Sequence, residues 1–178
     1  MRPFDLDKDV ALNAVLYIAP KVRGSDMYAI LKVMYFADKY HLERYGSFIS
    51  GDSYIAMSHG PVPSFAYDIL KAVRNGGSRA LDAEVFEQFR SAFEVRGLYG
   101  FMPRREADLD YLSDAALESL DHSIKEFGQL PFRRLRDLSH DAAFKAAGLD
   151  DTMDVEEMAK MFNDSDVLID YLNDPYPG

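Results

Sequence analysis

The longest predicted helix lies in residues 25–46, which read SDMYAILKVMYFADKYHLERYG. Apolar side chains recur there every three to four positions, at Ile30, Val33, Met34, Ala37 and Tyr40. This spacing places them on one face of an α-helix. Ser25 is the predicted N-cap, and Gly46 is the predicted left-handed residue after the last turn. The stretch therefore predicts one helix of about twenty residues.

The residues after this helix predict a strand, a stiff connection and a second helix. Residues 54–57 follow a turn at 50–52 and have the composition of a short strand. Residues 58–63, which read SHGPVP, predict a structured loop, because two prolines flanking one residue disfavour both a helix and a central strand. Ser64 is the predicted N-cap of the helix that follows.

A two-stranded hairpin is predicted over residues 93–102, with its turn at Gly97-Leu98-Tyr99-Gly100. Because a lone hairpin is marginally stable, we expect it to pair with residues 54–57. The fold class that follows is α+β, mainly α-helical, with a small antiparallel sheet of about three short strands. We expect a single domain over residues 1–178, with an acidic helical part from about residue 106.

Charge is unevenly distributed along the chain, whose net charge is −10. Residues 1–105 hold 14 Lys and Arg against 12 Asp and Glu, whereas residues 106–178 hold 6 against 18. The acidic part is expected to repel nucleic acid and to attract basic surfaces. An alternative interpretation is a solvated acidic surface that only maintains solubility. Charge thus disfavours nucleic acid as a partner.

The chain has no cysteine, which excludes disulfides, thiolate zinc sites and cysteine nucleophiles. The N-terminal residues do not have the pattern of a signal peptide, and no apolar run approaches the ~18 residues of a membrane span. We therefore expect a cytoplasmic protein that has no membrane partner.

The sequence motifs of common enzyme classes are absent. The sequence contains no GxxxxGK[ST], GxGxxG or GxSxG motif. The sequence has four histidines, at His41, His59, His122 and His140. Their spacing is not that of metal ligands. We expect no catalytic residue, no metal and no cofactor.

Three stretches together resemble the Panacea domain, the SocA-like family of phage- and toxin-associated prokaryotic proteins. They are residues 32–42 (KVMYFADKYHL), 50–57 (SGDSYIAM) and 59–64 (HGPVPS). A later segment, residues 130–147, resembles the C-terminal signature of the family. Relatives often carry tryptophan after the histidine of that signature, where this chain has Phe144. The residues that carry the resemblance are Tyr35, Asp38, Tyr40, Asp52, His59, Gly60, Pro61, Val62 and His140.

The resemblance implies an antitoxin, because family members typically neutralise a toxin by direct protein–protein binding. The toxins are diverse, and many of them inhibit translation. Rigidity and charge suggest the residues that contact the partner, since a pre-ordered loop loses little entropy on binding and acids steer a basic toxin. The predicted contacts are Tyr54, His59, Pro61, Val62, Pro63, Asp150, Asp151, Glu156 and Glu157.

Two alternatives stay open at this point. One branch of the family acts as a proteolytic adaptor that delivers the bound toxin to an ATP-dependent protease. The other alternative is a DNA-binding repressor of its own operon, with the hairpin at residues 93–102 as a wing. Its phosphate contacts would be Arg74, Arg79, Arg96, Arg104 and Arg105.

Overall fold

The computed structural model describes residues 4–175, and helices dominate this part of the chain. Its α-helices are α1 (Lys8–Ile18), α2 (Met27–Tyr45), α3 (Ser64–Asn75), α4 (Ala83–Ala92), α5 (Asp114–Phe127), α6 (Phe132–Ser139), α7 (Ala142–Ala146), α8 (Val155–Ala159) and α9 (Ser165–Asn173). Its strands are β1 (Tyr54–Met57), β2 (Gly60–Pro63), β3 (Phe93–Arg96) and β4 (Gly100–Pro103). The predicted class, α+β and mainly α-helical, is confirmed. Residues 1–3 and 176–178 lie outside the described residues, and the single domain over 1–178 stays a prediction.

Helix α2 lies at the centre of the fold, where other elements cover it on all sides. Every residue from Ala29 to Asp38 is buried. The helix packs most extensively against α5 and also contacts α6 and β2. A helix buried all round is typical of a protein core. Elements that pack on α2 are consequently held in place relative to one another.

The two ends of α2 differ in how well the sequence predicted them. Gly46 adopts the predicted left-handed conformation, with φ of +72°, and ends the helix. The prediction of Ser25 as N-cap was wrong, because Asp26 caps the helix. The Asp26 carboxylate accepts hydrogen bonds from the Tyr28 and Ala29 backbone N–H groups at 2.9 and 3.1 Å. Asp26 is extended directly before the first helical turn, the conformation that an N-cap requires.

The predicted three-stranded sheet is replaced by two separate antiparallel pairs, β1 with β2 and β3 with β4. Residues 60–63, which were predicted as loop, form strand β2, with Tyr54 opposite Pro63 and Met57 opposite Gly60. The prolines are tolerated because they occupy alternate positions. A strand donates hydrogen bonds to a given neighbour from every second residue, so Gly60 and Val62 can supply the donors.

The free edge of β1 is covered by residues 150–153 and not by the hairpin β3–β4. The Ala56 N–H donates to the Asp151 carbonyl at 3.0 Å, and the Met153 N–H donates to the Tyr54 carbonyl at 2.8 Å. The hairpin instead adjoins the start of α2, where the Met27 N–H donates to the Tyr99 carbonyl at 2.7 Å. The acidic C-terminal part of the chain is thus joined to the hairpin β1–β2.

Candidate partner-binding surface

The hairpin β1–β2 is attached to α2 by a buried lysine. The Lys32 side chain is fully buried, and its Nζ donates a hydrogen bond of 2.7 Å to the Pro61 carbonyl oxygen. Burial lowers the pKa of Lys32 to about 7, because an ammonium group loses its hydration when it leaves water. Lys32 therefore links the HGPVP segment to the central helix through a buried hydrogen bond.

Gly60 allows the turn of the same hairpin to lie directly on the end of α6. Its φ is +104°, a conformation that residues other than glycine rarely adopt. A Cβ atom at this position would lie 2.6 Å from the Ser139 Oγ and 2.8 Å from the Lys32 Nζ. The backbone of the turn thus lies directly against side chains of α2 and α6, and an added Cβ would require one of them to shift.

His140 and Asp141 continue this polar cluster at the junction of α6 and α7. The His140 ring stacks on Phe144 at a centroid distance of 4.3 Å, and its Nε2 is buried. Burial and the nearby charge of Lys32 lower the pKa of His140. The Asp141 Oδ2 accepts hydrogen bonds from the Tyr35 hydroxyl at 2.9 Å and from the Lys39 Nζ at 2.8 Å. The start of α7 is thereby bound to α2.

The burial of Lys32 predicts a pH dependence of stability. The pKa of Lys32 falls from 10.5 to about 7 on folding, so the folded chain binds fewer protons than the unfolded chain between these values. Stability should then rise with pH across this window, by up to about 1.4 kcal/mol per pH unit. Urea unfolding at pH 7 and 9.5 of wild type and Lys32→Met measures this contribution. The stability of wild type relative to the variant should increase, and an unchanged difference would contradict a neutral buried lysine.

Asp38 joins the helix α2 to strand β1 and to the loop before it. Its carboxylate accepts hydrogen bonds from the Tyr54 hydroxyl at 2.6 Å and from the Ile49 N–H at 2.7 Å. Burial raises the pKa of Asp38 to about 7, although both hydrogen bonds act in the opposite direction. The Tyr54 hydroxyl depends on this carboxyl group for its hydrogen bond, because Tyr54 is itself buried.

Asp52 is the cap of helix α3, a role that the sequence predicted for Ser64. The buried Asp52 carboxylate accepts hydrogen bonds from the Phe65 and Ala66 N–H groups, both at 3.0 Å. Ser64 is the first residue of the helix, and the prediction that its side chain caps α3 was wrong. A carboxylate close in space but twelve positions earlier in the chain takes its place.

Most of the hairpin residues that were predicted to contact a partner are buried. Tyr54 is 1% exposed and Val62 is 3% exposed, and Pro61 and Pro63 are buried beside them. The Tyr54 hydroxyl binds Asp38, and the strand β2 packs on α2. The contact of these five residues with a partner stays a prediction. Of the five, only His59, in the turn, is exposed.

An aromatic strip, composed of Tyr99, Tyr28, Phe132 and His59, crosses the surface next to this turn. The ring centroids of Tyr99 and Tyr28 are 5.4 Å apart, those of Tyr28 and Phe132 are 5.8 Å apart, and those of Phe132 and His59 are 6.0 Å apart. The four residues come from β3–β4, α2, α6 and β1–β2. Sequence reasoning missed this strip, because no local pattern connects its members.

The family to which the chain belongs follows from a comparison with family models. Residues 30–145, more than half of the chain, match the model described as "Antitoxin SocA-like, Panacea domain". The chain belongs to this family. The predicted resemblance is confirmed, and membership supports an antitoxin role in general. No significant match was found among curated proteins or solved structures.

The matched part of this Panacea-domain protein contains the whole buried polar cluster around Lys32, Gly60 and His140. Tyr40, the remaining residue of the motif, is half-buried on α2. Its hydroxyl donates to Glu118 at 3.0 Å, and its ring stacks on His122 at 4.2 Å. The residues that carry the resemblance thus lie mostly inside the fold, where they hold α2, α6, α7 and the hairpin β1–β2 together.

The four acids that were predicted to contact a partner lie beyond the matched part of the Panacea-domain protein. Asp150 and Asp151 are exposed beside β1. Glu156 and Glu157 are half-buried on the first turn of α8, where the Lys160 Nζ lies 3.4 and 2.6 Å from their carboxylates. Asp150 and Asp151 are therefore more accessible to a partner than Glu156 and Glu157.

Two further properties concern the part of this Panacea-domain protein that the structure describes. None of the helices within residues 4–175 is long and apolar enough to cross a membrane. Among the same residues, no group of three or more His, Cys, Asp or Glu is placed to hold a metal ion.

Proposed function

We propose that this Panacea-domain protein is an antitoxin that neutralises a cognate protein toxin in the cytoplasm by binding it directly, without catalysis. The observation that carries the proposal is the match of residues 30–145 to a family named for antitoxins. The buried cluster supports it, because hydrogen bonds and close packing fix the surface around His59 before a partner arrives. A pre-ordered surface loses less conformational entropy on association.

The proposal is tested by co-expressing the chain with the product of the neighbouring open reading frame. That product should stop growth when expressed alone, and growth should return when both are expressed. A stoichiometric complex should purify, with the level of toxin unchanged. A neighbouring product that is harmless, or that does not bind the purified chain, would contradict the proposal.

The same cells distinguish the proteolytic adaptor from simple occlusion. An adaptor needs an ATP-dependent protease, so rescue should fail in a protease-deficient host and the level of toxin should fall in the wild-type host. Occlusion predicts rescue in both hosts.

The repressor alternative predicts promoter binding with a steep dependence on salt. The five arginines that would contact phosphate are not all free in the structure. Arg96 pairs with Glu94 at 3.1 Å, and Arg74 lies over the Tyr99 ring at 5.7 Å. Binding isotherms on promoter DNA at two salt concentrations test this alternative.

Removing acidic charge should slow the encounter with a basic toxin. The variant combines Asp150→Asn, Asp151→Asn, Glu156→Gln and Glu157→Gln. Its association rate should fall about tenfold at low salt and depend less on salt, because steering acts mainly on the on-rate. Stopped-flow or surface-plasmon measurements give both quantities.

The control for this variant removes an equal number of exposed acids outside α8 and α9, at Glu43, Glu84, Glu106 and Glu126. We expect it to retain the wild-type rate within about twofold, because steering depends on where the charge lies and not only on its total amount. Equal slowing by both variants would show that net charge matters and that the location of the four acids does not.

A further inference from the structure

The aromatic strip exposes more apolar surface than its position beside a buried core requires. Tyr99 is 41% exposed and Phe132 is 39% exposed, and Leu98, beside Tyr99 in the turn of the hairpin β3–β4, is 72% exposed. Contiguous apolar surface of this kind is uncommon on soluble proteins and marks interaction sites. The rings contact each other in sequence, so the surface is continuous from the β3–β4 turn to the β1–β2 turn.

The elements that present the strip are all fixed to the central helix. The Tyr99 carbonyl accepts a hydrogen bond from the first residue of α2. Phe132 begins α6, whose Leu135 is fully buried and which packs on α2. His59 lies in the turn that Lys32 holds through Pro61. The four rings are therefore pre-ordered relative to one another, which lowers the entropic cost of binding.

Positive charge surrounds the strip, although the chain as a whole carries −10. Arg74 lies over the Tyr99 ring, and Lys71 precedes it by one turn on α3. Arg133 and Arg134 follow Phe132, are exposed, and form no ion pair with any residue in 4–175. Arg136 lies one turn after Phe132 on the same face of α6.

Three acids lie within a helical turn of these basic and aromatic residues along the chain, and two of the three are already engaged. Asp26 caps α2, and Asp137 pairs with Arg136 at 3.1 Å. Asp68 is exposed on α3. Around Tyr99 and Phe132 the border of the strip is therefore positive on balance, and this part complements an acidic partner. The exposed acids Asp150 and Asp151 lie beside β1, the strand that leads to His59.

We propose that the aromatic strip is the docking surface for an acidic segment of the partner toxin, one that carries aromatic or aliphatic anchors between its carboxylates. This inference rests on the proposed function and adds where the toxin docks: a toxin that is basic as a whole would present one acidic segment to the strip. Apolar anchors would pack on Tyr99, Phe132 and Leu98, and the carboxylates would meet the arginines around them. The aliphatic side chain of Leu98, which is 72% exposed beside the strip, favours a protein segment over a polyanion such as nucleic acid.

The test measures binding of the toxin from the neighbouring open reading frame to four variants of the full chain. The strip variant carries Tyr99→Ala and Phe132→Ala, and its control carries Tyr111→Ala and Val167→Ala, whose side chains are 46% and 73% exposed elsewhere. We expect about 100-fold weaker binding for the strip variant, because central aromatic anchors dominate interfaces. The control should bind like wild type. Thermal unfolding of each variant establishes that it folds.

The charge variant carries Arg133→Glu and Arg134→Glu, and its control carries Arg104→Glu and Arg105→Glu. Because Arg133 and Arg134 are exposed, this variant keeps the test decisive even if the strip variant is unstable. Binding should weaken about tenfold for the charge variant, because like charges would then face each other across the interface. Replacing carboxylates of the toxin segment with lysines should recover part of this loss. The control should retain wild-type affinity.

The outcomes separate this inference from the proposed function. If wild type binds the toxin and the strip and charge variants bind equally well, the docking surface is wrong and the antitoxin role stands. If wild type does not bind the toxin, both the docking surface and the antitoxin role are wrong. Single-stranded RNA and promoter DNA are titrated in parallel. Loss of nucleic-acid binding alone in the strip variant would overturn the assignment of a protein partner.

Discussion

Replacing Gly60 with alanine should lower the free energy of unfolding by about 3 kcal/mol or more. Two effects add at this position. A residue with a side chain is strained at φ of +104°, which costs about 1–3 kcal/mol. The new Cβ would also lie 2.6 Å from the Ser139 Oγ and 2.8 Å from the Lys32 Nζ, and overpacking of this kind typically costs about 1–3 kcal/mol. Urea unfolding followed by circular dichroism measures the loss.

Gly97→Ala is the matched control for the strain at Gly60. Gly97 has φ of +62° in the turn of β3–β4, and a Cβ added there would meet no atom within 4 Å. The Gly97→Ala variant should lose only the free energy that corresponds to the backbone strain, about 1 kcal/mol. Adding Ser139→Ala to Gly60→Ala should recover part of the loss by removing one close contact. If the two glycine variants were equally stable, the close approach of the turn to α6 would not matter energetically.

The second large effect is expected from Asp38→Ala, which should destabilise the fold by about 3 kcal/mol. The variant leaves the Tyr54 hydroxyl and the Ile49 N–H without their acceptor. Each buried donor without a partner costs about 1–3 kcal/mol. Tyr54→Phe removes one donor together with its hydrogen bond and should cost less. Equal losses for the two variants would show that Asp38 stabilises the fold mainly through Tyr54.

The ionisation of Asp38 adds a pH dependence whose sign is opposite to that of Lys32. The pKa of Asp38 is 3.8 in the unfolded chain and about 7 in the folded chain. The folded chain therefore binds more protons than the unfolded chain between these pH values. The contribution of Asp38 is then present in full below about pH 4 and is lost as the pH rises through 7, by up to about 1.4 kcal/mol per unit. Asp38→Asn, which cannot ionise, should lack this decline when unfolding is compared at pH 5 and 7.

Local patterns predicted the helices and their clearest boundaries. The periodicity of residues 25–46 predicted α2, and Gly46 ends it as expected. A helix was predicted directly after residues 58–63, and α3 spans Ser64–Asn75. These predictions succeed because helix formation depends on residues within one or two turns of each other.

The strand pairing was not predictable from the same patterns. Pro61 and Pro63 made a strand at residues 60–63 look unfavourable, although their alternate positions leave the donors of Gly60 and Val62 in place. The neighbour on the other edge of β1 comes from residues 150–153, about a hundred positions away. Pairing between segments so distant in the chain depends on the packing of the whole fold. The composition of the nearby turns therefore does not predict it.

The sequence by itself determined the helical class, the uneven charge and the Panacea motif, because each depends on residues that are adjacent or periodic in the chain. Only the tertiary structure decided which motif residues reach the surface. A tyrosine or proline in a motif carries no local sign of burial, whereas the packing of β2 on α2 leaves His59 as the exposed motif residue of its hairpin. The aromatic strip has the same origin, since contacts among four distant elements place its rings side by side.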